Sequence, residues 1–318
     1  MQADWDKKSV FIHKCSTSGE KKIPEKELSF IAIKNLISLK TPTALVFHAQ
    51  SSLPYLIFFK LLNKIYKKNN FNVVYDIHDL HEDSDKSLRG KIRYWILRFF
   101  EKRVFLDENI KKITVSQGLS EELSNCYTPM SKPLVVYNVA RTNLSNVPNT
   151  RTKDLVFFGS KERVPFELFE TLKEENLKLD IFGKGITKEW LEEESKISKL
   201  DFINVFGEYD PKNMQFLLDY KYLILYYPKG NSKNFIYSMP NKYFQALDSG
   251  LKVVLSSNFE EMITFSKRIN NFYIELKSAS DLKRLLNSSS DMSENEARSM
   301  LEETLFASKQ NYLLATII

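Results

Sequence analysis

Three groups of side chains in this sequence have the types and spacing for chemistry on an anionic ligand. The first lies in YSMPNKYFQALDSGLKVVLS, where Ser238, Met239, Pro240, Asn241 and Lys242 precede Gln245. Pro240 suits the first turn of a helix, because that position needs no backbone N–H and fits the ring's fixed φ. The N–H groups left over at a helix start form a site for a phosphate, and Lys242 adds a full positive charge beside them. The second group is Lys161 and Arg163 in FFGSKERV, just after an apolar run, together with Gly183 in FGKG, where a missing side chain lets backbone approach a ligand closely. The third is YDIHDLHED, in which the His78 imidazole, with Asp79 beside it, can bind hydroxyls or move a proton near neutral pH. Tyr209, in FGEY, could stack on a flat ring or simply plug a core. By composition His81, Glu82, Asp83 and Asp85 could hold a metal, but an acidic, solvated loop is the simpler reading, and no metal is expected.

Positioning these groups takes a repeating framework. Tyr243, Phe244 and Leu247 recur at helical spacing after Pro240, and Gly250 is placed to end that helix in the left-handed conformation. Leu251 to Leu255 is then short, apolar and β-branched, as a buried parallel strand is. Strand-like runs occur at Ser9–His13, Ala44–His48, Asn72–His78, Ile113–Ser116 and Leu134–Asn138, with helical runs at Pro24–Leu39, Leu56–Tyr66 and Arg89–Phe105 between them. The pattern lapses into polar residues from Ala140 to Lys153, which marks a linker. It restarts with strands at Leu155–Phe158, Leu179–Phe182, Phe202–Phe206, Tyr222–Tyr226, Leu251–Leu255 and Phe272–Leu276, and helices at Pro165–Asn176, Pro211–Asp219 and Ser293–Leu314. Such alternation calls for an α/β chain of two doubly wound, Rossmann-like domains, with a cleft at the carboxyl ends of their strands.

Bulk composition narrows the class. A length of 318 residues suggests two domains, and 43% hydrophobic content excludes disorder as the main state. The net charge of +6 comes from 46 basic and 40 acidic residues that are interspersed, so no nucleic-acid partner is expected. Cys15 and Cys126 are far apart and read as free thiols of a cytoplasmic protein. The N-terminus has no signal-peptide pattern, and no run approaches the ~20 apolar residues of a membrane span. KIRYWILRFFEKRVF, from Lys91, interleaves basic and aromatic residues in the manner of a membrane-surface helix. An ordinary helix that buries Tyr94, Trp95, Leu97 and Phe99 while its basic chains reach water is the simpler reading.

The stretch Met239, Pro240, Asn241, Lys242, Tyr243, Phe244 and Gln245, followed by Ser249, Gly250, Leu251, Lys252 and Val253, resembles the donor-binding motif of retaining, family-4-type glycosyltransferases. The resemblance implies the GT-B fold, with an acceptor domain over residues 1–143, a nucleotide-sugar domain over 151–292, and a C-terminal helix, 293–318, crossing back to the first. It also implies that Ser238 to Lys242 and Lys161 or Arg163 hold a diphosphate, that Gln245 holds the ribose, that Tyr209 packs on the base, and that His78 faces the sugar. Where the family has Glu this chain has Gln245, which can bond hydroxyls without charge assistance. The function implied is transfer of a hexose-type unit from a UDP- or GDP-linked donor to a polysaccharide or lipid-linked glycan of the bacterial surface, with retention and without a cofactor. The enzyme would work in the cytoplasm, with peripheral contact to the inner face of the membrane or to a companion glycosyltransferase. A non-catalytic GT-B module that partners another glycosyltransferase is the alternative, and a sugar-nucleotide epimerase is disfavoured because no pair of acid/base carboxylates stands out.

Overall fold

The computed structural model describes residues 9–14, 20–23, 30–36, 43–48, 52–66, 71–80, 87–129, 131–140, 142, 151–229, 232–270, 272–288 and 294–316. The chain divides into two compact units, Met1–Tyr137 with Leu305–Ile318, and Asn138–Thr304. His81, Glu82, Asp83, Asp85 and Cys15 lie outside the described residues, as does most of the expected linker.

In the first unit the strands are β1 (Ser9–Lys14), β2 (Glu20–Ile23), β3 (Thr43–His48), β4 (Phe71–Ile77), β5 (Ile110–Thr114) and β6 (Leu134–Val135), in the order β2-β1-β3-β4-β5-β6. From β3 to β6 every pairing is parallel. Helices α1 (Phe30–Leu36), α2 (Leu53–Tyr66), α3 (Leu88–Phe105) and α4 (Gln117–Tyr127) make the crossovers. All of β3 is buried, as expected of a parallel strand covered on both faces. By contrast β1 runs antiparallel to both β2 and β3, so this sheet is mixed rather than wholly parallel. Residues 15–19 are too short a connection for the dozen or so that a parallel crossover takes. The polar strand β2 then forms the edge of the sheet.

Contrary to the expectation of buried rings, Trp95 and Phe99 of α3 are exposed, and Glu101, Val104 and Phe105 are its buried residues. Buried Glu101 accepts from the Tyr127 hydroxyl at 2.5 Å and the Tyr75 hydroxyl at 3.4 Å, with the Arg98 guanidinium 3.8 Å away. Burial outweighs these partners and pushes the Glu101 carboxyl up to about 7. Because the folded value lies above the unfolded one near 4.5, the native state holds the proton more tightly. Stability from this group is therefore complete below pH ~4.5 and declines as pH rises toward 7, by about 3 kcal/mol. Glu101→Gln is expected to remove that slope, so urea midpoints of wild type and variant should diverge between pH 4.5 and 8. A gap that stays constant with pH would reject the assignment.

In the second unit the strands are β7 (Lys153–Phe158), β8 (Leu179–Phe182), β9 (Ile203–Gly207), β10 (Tyr220–Leu225), β11 (Lys252–Ser256) and β12 (Tyr273–Leu276). Their order is β12-β11-β10-β7-β8-β9, and every pairing is parallel. Numbered within the unit, this is the 3-2-1-4-5-6 arrangement of dinucleotide-binding sheets, whose direction reverses between β7 and β10. Helices α5 (Phe169–Glu174), α6 (Lys188–Ser195), α7 (Lys233–Ile236), α8 (Asn241–Ser249), α9 (Glu260–Ser266) and α10 (Leu282–Ser288) accompany the sheet, and α11 (Glu294–Thr316) ends the described chain. The helix expected over Pro211–Asp219 is only a 3-10 turn at Gln215–Asp219. Arg151 ties the unit together, donating to Tyr220 O at 2.6 Å, Leu217 O at 3.1 Å and Ser249 O at 2.5 Å, carbonyls left over at the ends of that turn and of α8. Among the described residues no helix is long and apolar enough to cross a membrane.

Candidate functional site

In an open α/β sheet, ligands bind beyond the carboxyl ends of the strands where the strand order reverses. Here that edge carries glycines, with Gly159 directly after β7, Gly183 directly after β8 and Gly207 ending β9. Gly159 N–H donates to Phe182 O at 2.9 Å and Gly183 N–H to Gly207 O at 2.7 Å, which joins the three strand ends. A Cβ on Gly183 would stand 2.3 Å from Gly159 O, so only glycine fits. At Gly159, φ of +151° is open chiefly to glycine, and a Cβ there would lie 2.5 Å from Lys242 Nζ. The edge is bare backbone with a lysine laid across it.

That lysine comes from α8, the helix forecast from Pro240 and Gly250. Pro240 occupies the cap with extended backbone, one position before the expected first turn, and Gly250 ends the helix at φ +69°. Both outcomes follow from ring and glycine conformational preferences. Lys242 Nζ donates to Phe158 O at 2.9 Å and lies 5.2 Å from the centre of the Phe157 ring. Burial first, and then the nearby Arg163 guanidinium, push its ammonium down to about 8. The Arg163 guanidinium itself rests 4.1 Å over Phe235 and 5.4 Å over Tyr227. Of the two expected cations, therefore, Arg163 stands near Lys242. Lys161 turns the other way, 4.5 Å over the Trp190 ring and beside Gly185.

The remaining residues of this group fall around the helix start. Asn241 is exposed, Met239 is buried, and Ser238 N–H donates to Phe235 O at 3.2 Å. Gln245 is buried one turn after Lys242 and on the same helix face. Tyr209 is half-buried with its ring edge-on to Phe158 at 5.5 Å and 5.9 Å from Phe216, and burial pushes its hydroxyl up.

His78 and Asp79 belong to the first unit. The carboxylate that receives His78 is Asp76, two residues back on β4: His78 Nε2 is 3.2 Å from Asp76 Oδ2. His48 Nδ1, at the end of β3, is 2.7 Å from the same oxygen. Asp79 is exposed. Burial alone would raise the Asp76 carboxyl, but the charge of His78 and hydrogen bonds from both imidazoles hold it well below the usual carboxylate range. An ionised carboxylate only accepts, so His48 carries a proton on Nδ1 and His78 on Nε2. In a neutral His78 ring the lone pair is then on Nδ1. Among the described residues, His48, Asp76 and His78 are the grouping that could hold a metal, with ligand atoms all within 4.8 Å of one another. The His48–Asp76 spacing of 2.7 Å is a hydrogen-bond length, short of the roughly 3.3 Å between neighbouring ligands of a tetrahedral ion. The cluster is built as two imidazoles on one carboxylate.

No family model matches the chain, and no curated protein matches it. Among solved structures, Anabaena Alr3699/HepE in complex with UDP-glucose is similar with a TM-score of 0.60, at 11% identity over 89% of this chain and 80% of that one. A trehalose-6-phosphate protein from E. coli bound with UDP-2-fluoro glucose is similar with a TM-score of 0.57, at 9% identity over 89% of this chain and 74% of its own. The chain has the GT-B fold. TarM is matched at 15% identity over 80% of this chain and 50% of its own, with a TM-score of 0.47, so the chain spans half of that protein's length. In this GT-B chain the second unit holds every predicted site residue except His78 and Asp79.

Sequence reasoning missed Asp76 as the partner of His78, although a strand places residues two apart on one face. It overlooked Trp190 and Phe235 as the rings that seat Lys161 and Arg163. Nothing in the sequence signals those contacts, because each joins segments far apart in the chain.

Proposed function

We propose that this protein is a glycosyltransferase that moves a hexose-type unit from a nucleotide-sugar donor to a polysaccharide or lipid-linked glycan, with retention at the anomeric carbon. The observation that carries the reading is Lys242, held beside Arg163 on the glycine edge where the strand order of the second sheet reverses. As the glycosidic bond breaks, negative charge accumulates on the departing nucleoside diphosphate, and fixed cations in a partly dry site oppose it strongly. Lys242 and Arg163 supply that charge, with the α8 start behind them. Gln245 holds the ribose and Tyr209 packs on the base, and in the first unit the His78 imidazole is the group suited to a sugar hydroxyl. Protein cations take the part a divalent ion could otherwise fill, so neither metal nor cofactor is needed. UDP is favoured as the carrier because the HepE structure holds UDP-glucose and the E. coli structure a UDP-sugar. We place the reaction in the cytoplasm, where nucleotide sugars are the donors for surface glycans.

Calorimetric titration with UDP, GDP and CMP, first without metal and then with it, tests the reading. Saturable, metal-independent binding of one nucleoside diphosphate is the expected result. No binding by any of the three would reject the enzyme and favour a non-catalytic GT-B module that partners another glycosyltransferase.

A further inference from the structure

Helix α3 (LRGKIRYWILRFFEKRVF) is apolar on two sides. Its inner side supplies Val104 and Phe105 to the core of the first unit. Its outer side carries Leu88, Ile92, Trp95, Ile96 and Phe99, all between 51% and 76% exposed. At 3.6 residues per turn these five fall within one stripe roughly 100° wide that runs along three turns. Lys91 and Lys102 flank it on one side, and Arg89 and Arg93 on the other, while Arg103 follows the stripe one turn past Phe99, its guanidinium 4.4 Å over that ring. The helix's one acid, Glu101, is buried and faces inward, so the exposed charge is entirely positive. The start of the helix is held by Ser87, whose hydroxyl accepts from Gly90 N–H at 3.0 Å. Beside α3 packs α2, which exposes Leu61 and Ile65 near Lys64.

We infer that the outer face of α3 docks the protein on an anionic lipid bilayer, lying in the interface with its apolar stripe among the acyl chains and its basic flanks at the headgroups. Charge selects the occupant. A second copy of this chain would bring two all-positive faces together, whereas a leaflet rich in anionic headgroups neutralises each one. Trp and Phe between Lys and Arg suit such a boundary, because aromatic rings sit at headgroup depth and long basic chains extend from apolar ground to the phosphates. The inference goes beyond the transfer reaction and stands without it, since docking requires no nucleotide.

The test is co-sedimentation of the full chain with vesicles of phosphatidylcholine alone and of phosphatidylcholine mixed with phosphatidylglycerol. The protein is expected to bind the mixed vesicles, to leave the neutral ones, and to be released from the former by high salt. Arg89→Gln with Arg93→Gln should weaken binding about 25-fold, at about fivefold per basic residue. Ile92→Glu with Trp95→Glu should abolish it, and because both residues are exposed the melting temperature should not move. If that pair unfolds, the arginine pair decides alone. Failure of the wild type to bind mixed vesicles, or equal binding by wild type and the arginine pair, would overturn the inference. So would a lipid-free dimer in sedimentation velocity that the glutamates dissolve, which would assign the stripe to a second copy.

Discussion

Replacing Lys242 with methionine is expected to lower sugar transfer about 100- to 1000-fold, the loss seen when one fixed donor to a developing anion is removed. Methionine keeps most of the apolar stem that lies against Phe157 and Gly159, so the fold should survive. At pH 7 the melting temperature should hold or rise, because the variant no longer desolvates an ammonium. Lys242→Arg should not rescue transfer, since a Cβ's breadth at Gly159 already collides with Nζ and leaves no room for a guanidinium. The lowered ammonium adds a pH signature. Near pH 8 the free protein is only partly protonated at Lys242, and a bound diphosphate favours the charged form. Nucleotide binding should therefore take up a proton around that pH and weaken as pH rises further, visible as a calorimetric enthalpy that varies with the buffer's ionisation heat. The methionine variant should lose both effects. Unchanged transfer in Lys242→Met would remove the lysine from the diphosphate site.

Asp76→Asn is the second large expected effect, and it acts on stability and activity together. The substitution leaves two imidazoles at the ends of β3 and β4 without the buried anion that orients them. Breaking a buried charged pair costs about 3 kcal/mol or more at neutral pH. The sign with pH follows from the depressed carboxyl. Its stabilisation is present above the unfolded value of 3.8 and is lost as pH falls below it, so the gap between wild type and Asp76→Asn should close in acid. Transfer should fall about 100-fold, the order of loss when a positioned group is misplaced by about 1 Å, through kcat more than KM. Nitrogen-15 spectra supply a readout that a merely structural role would not move: His78 should leave the Nε2–H tautomer in the variant. Retention of that tautomer would mean Asp76 does not set it.

The sequence by itself determined the α/β class, because local physics governs it, although not the antiparallel β1 and β2 at the edge of the first sheet. Alternating short apolar strands with helical runs has few solutions besides covered parallel sheets, and the second sheet is wholly parallel, with Leu179–Phe182 placed to the residue. Helix α8 was legible for the same reason. Proline and glycine restrict or free the backbone whatever surrounds them, which marked its start and its stop.

What only the tertiary structure decided is everything that joins distant segments. Parallel register sets His48 opposite Asp76, across a connection no local pattern encodes. Gly159, Gly183 and Gly207 are unremarkable one at a time, and they form an edge because three strand ends meet there. Arg163 rather than Lys161 stands near Lys242 because Phe235 and Trp190 seat the two cations in different places. On α3 the apolar residues occupy both sides, so periodicity could not say which would turn inward. The core took Val104 and Phe105 and left Trp95 to the surface, because burial is settled by what the rest of the fold brings against a helix and not by the helix alone.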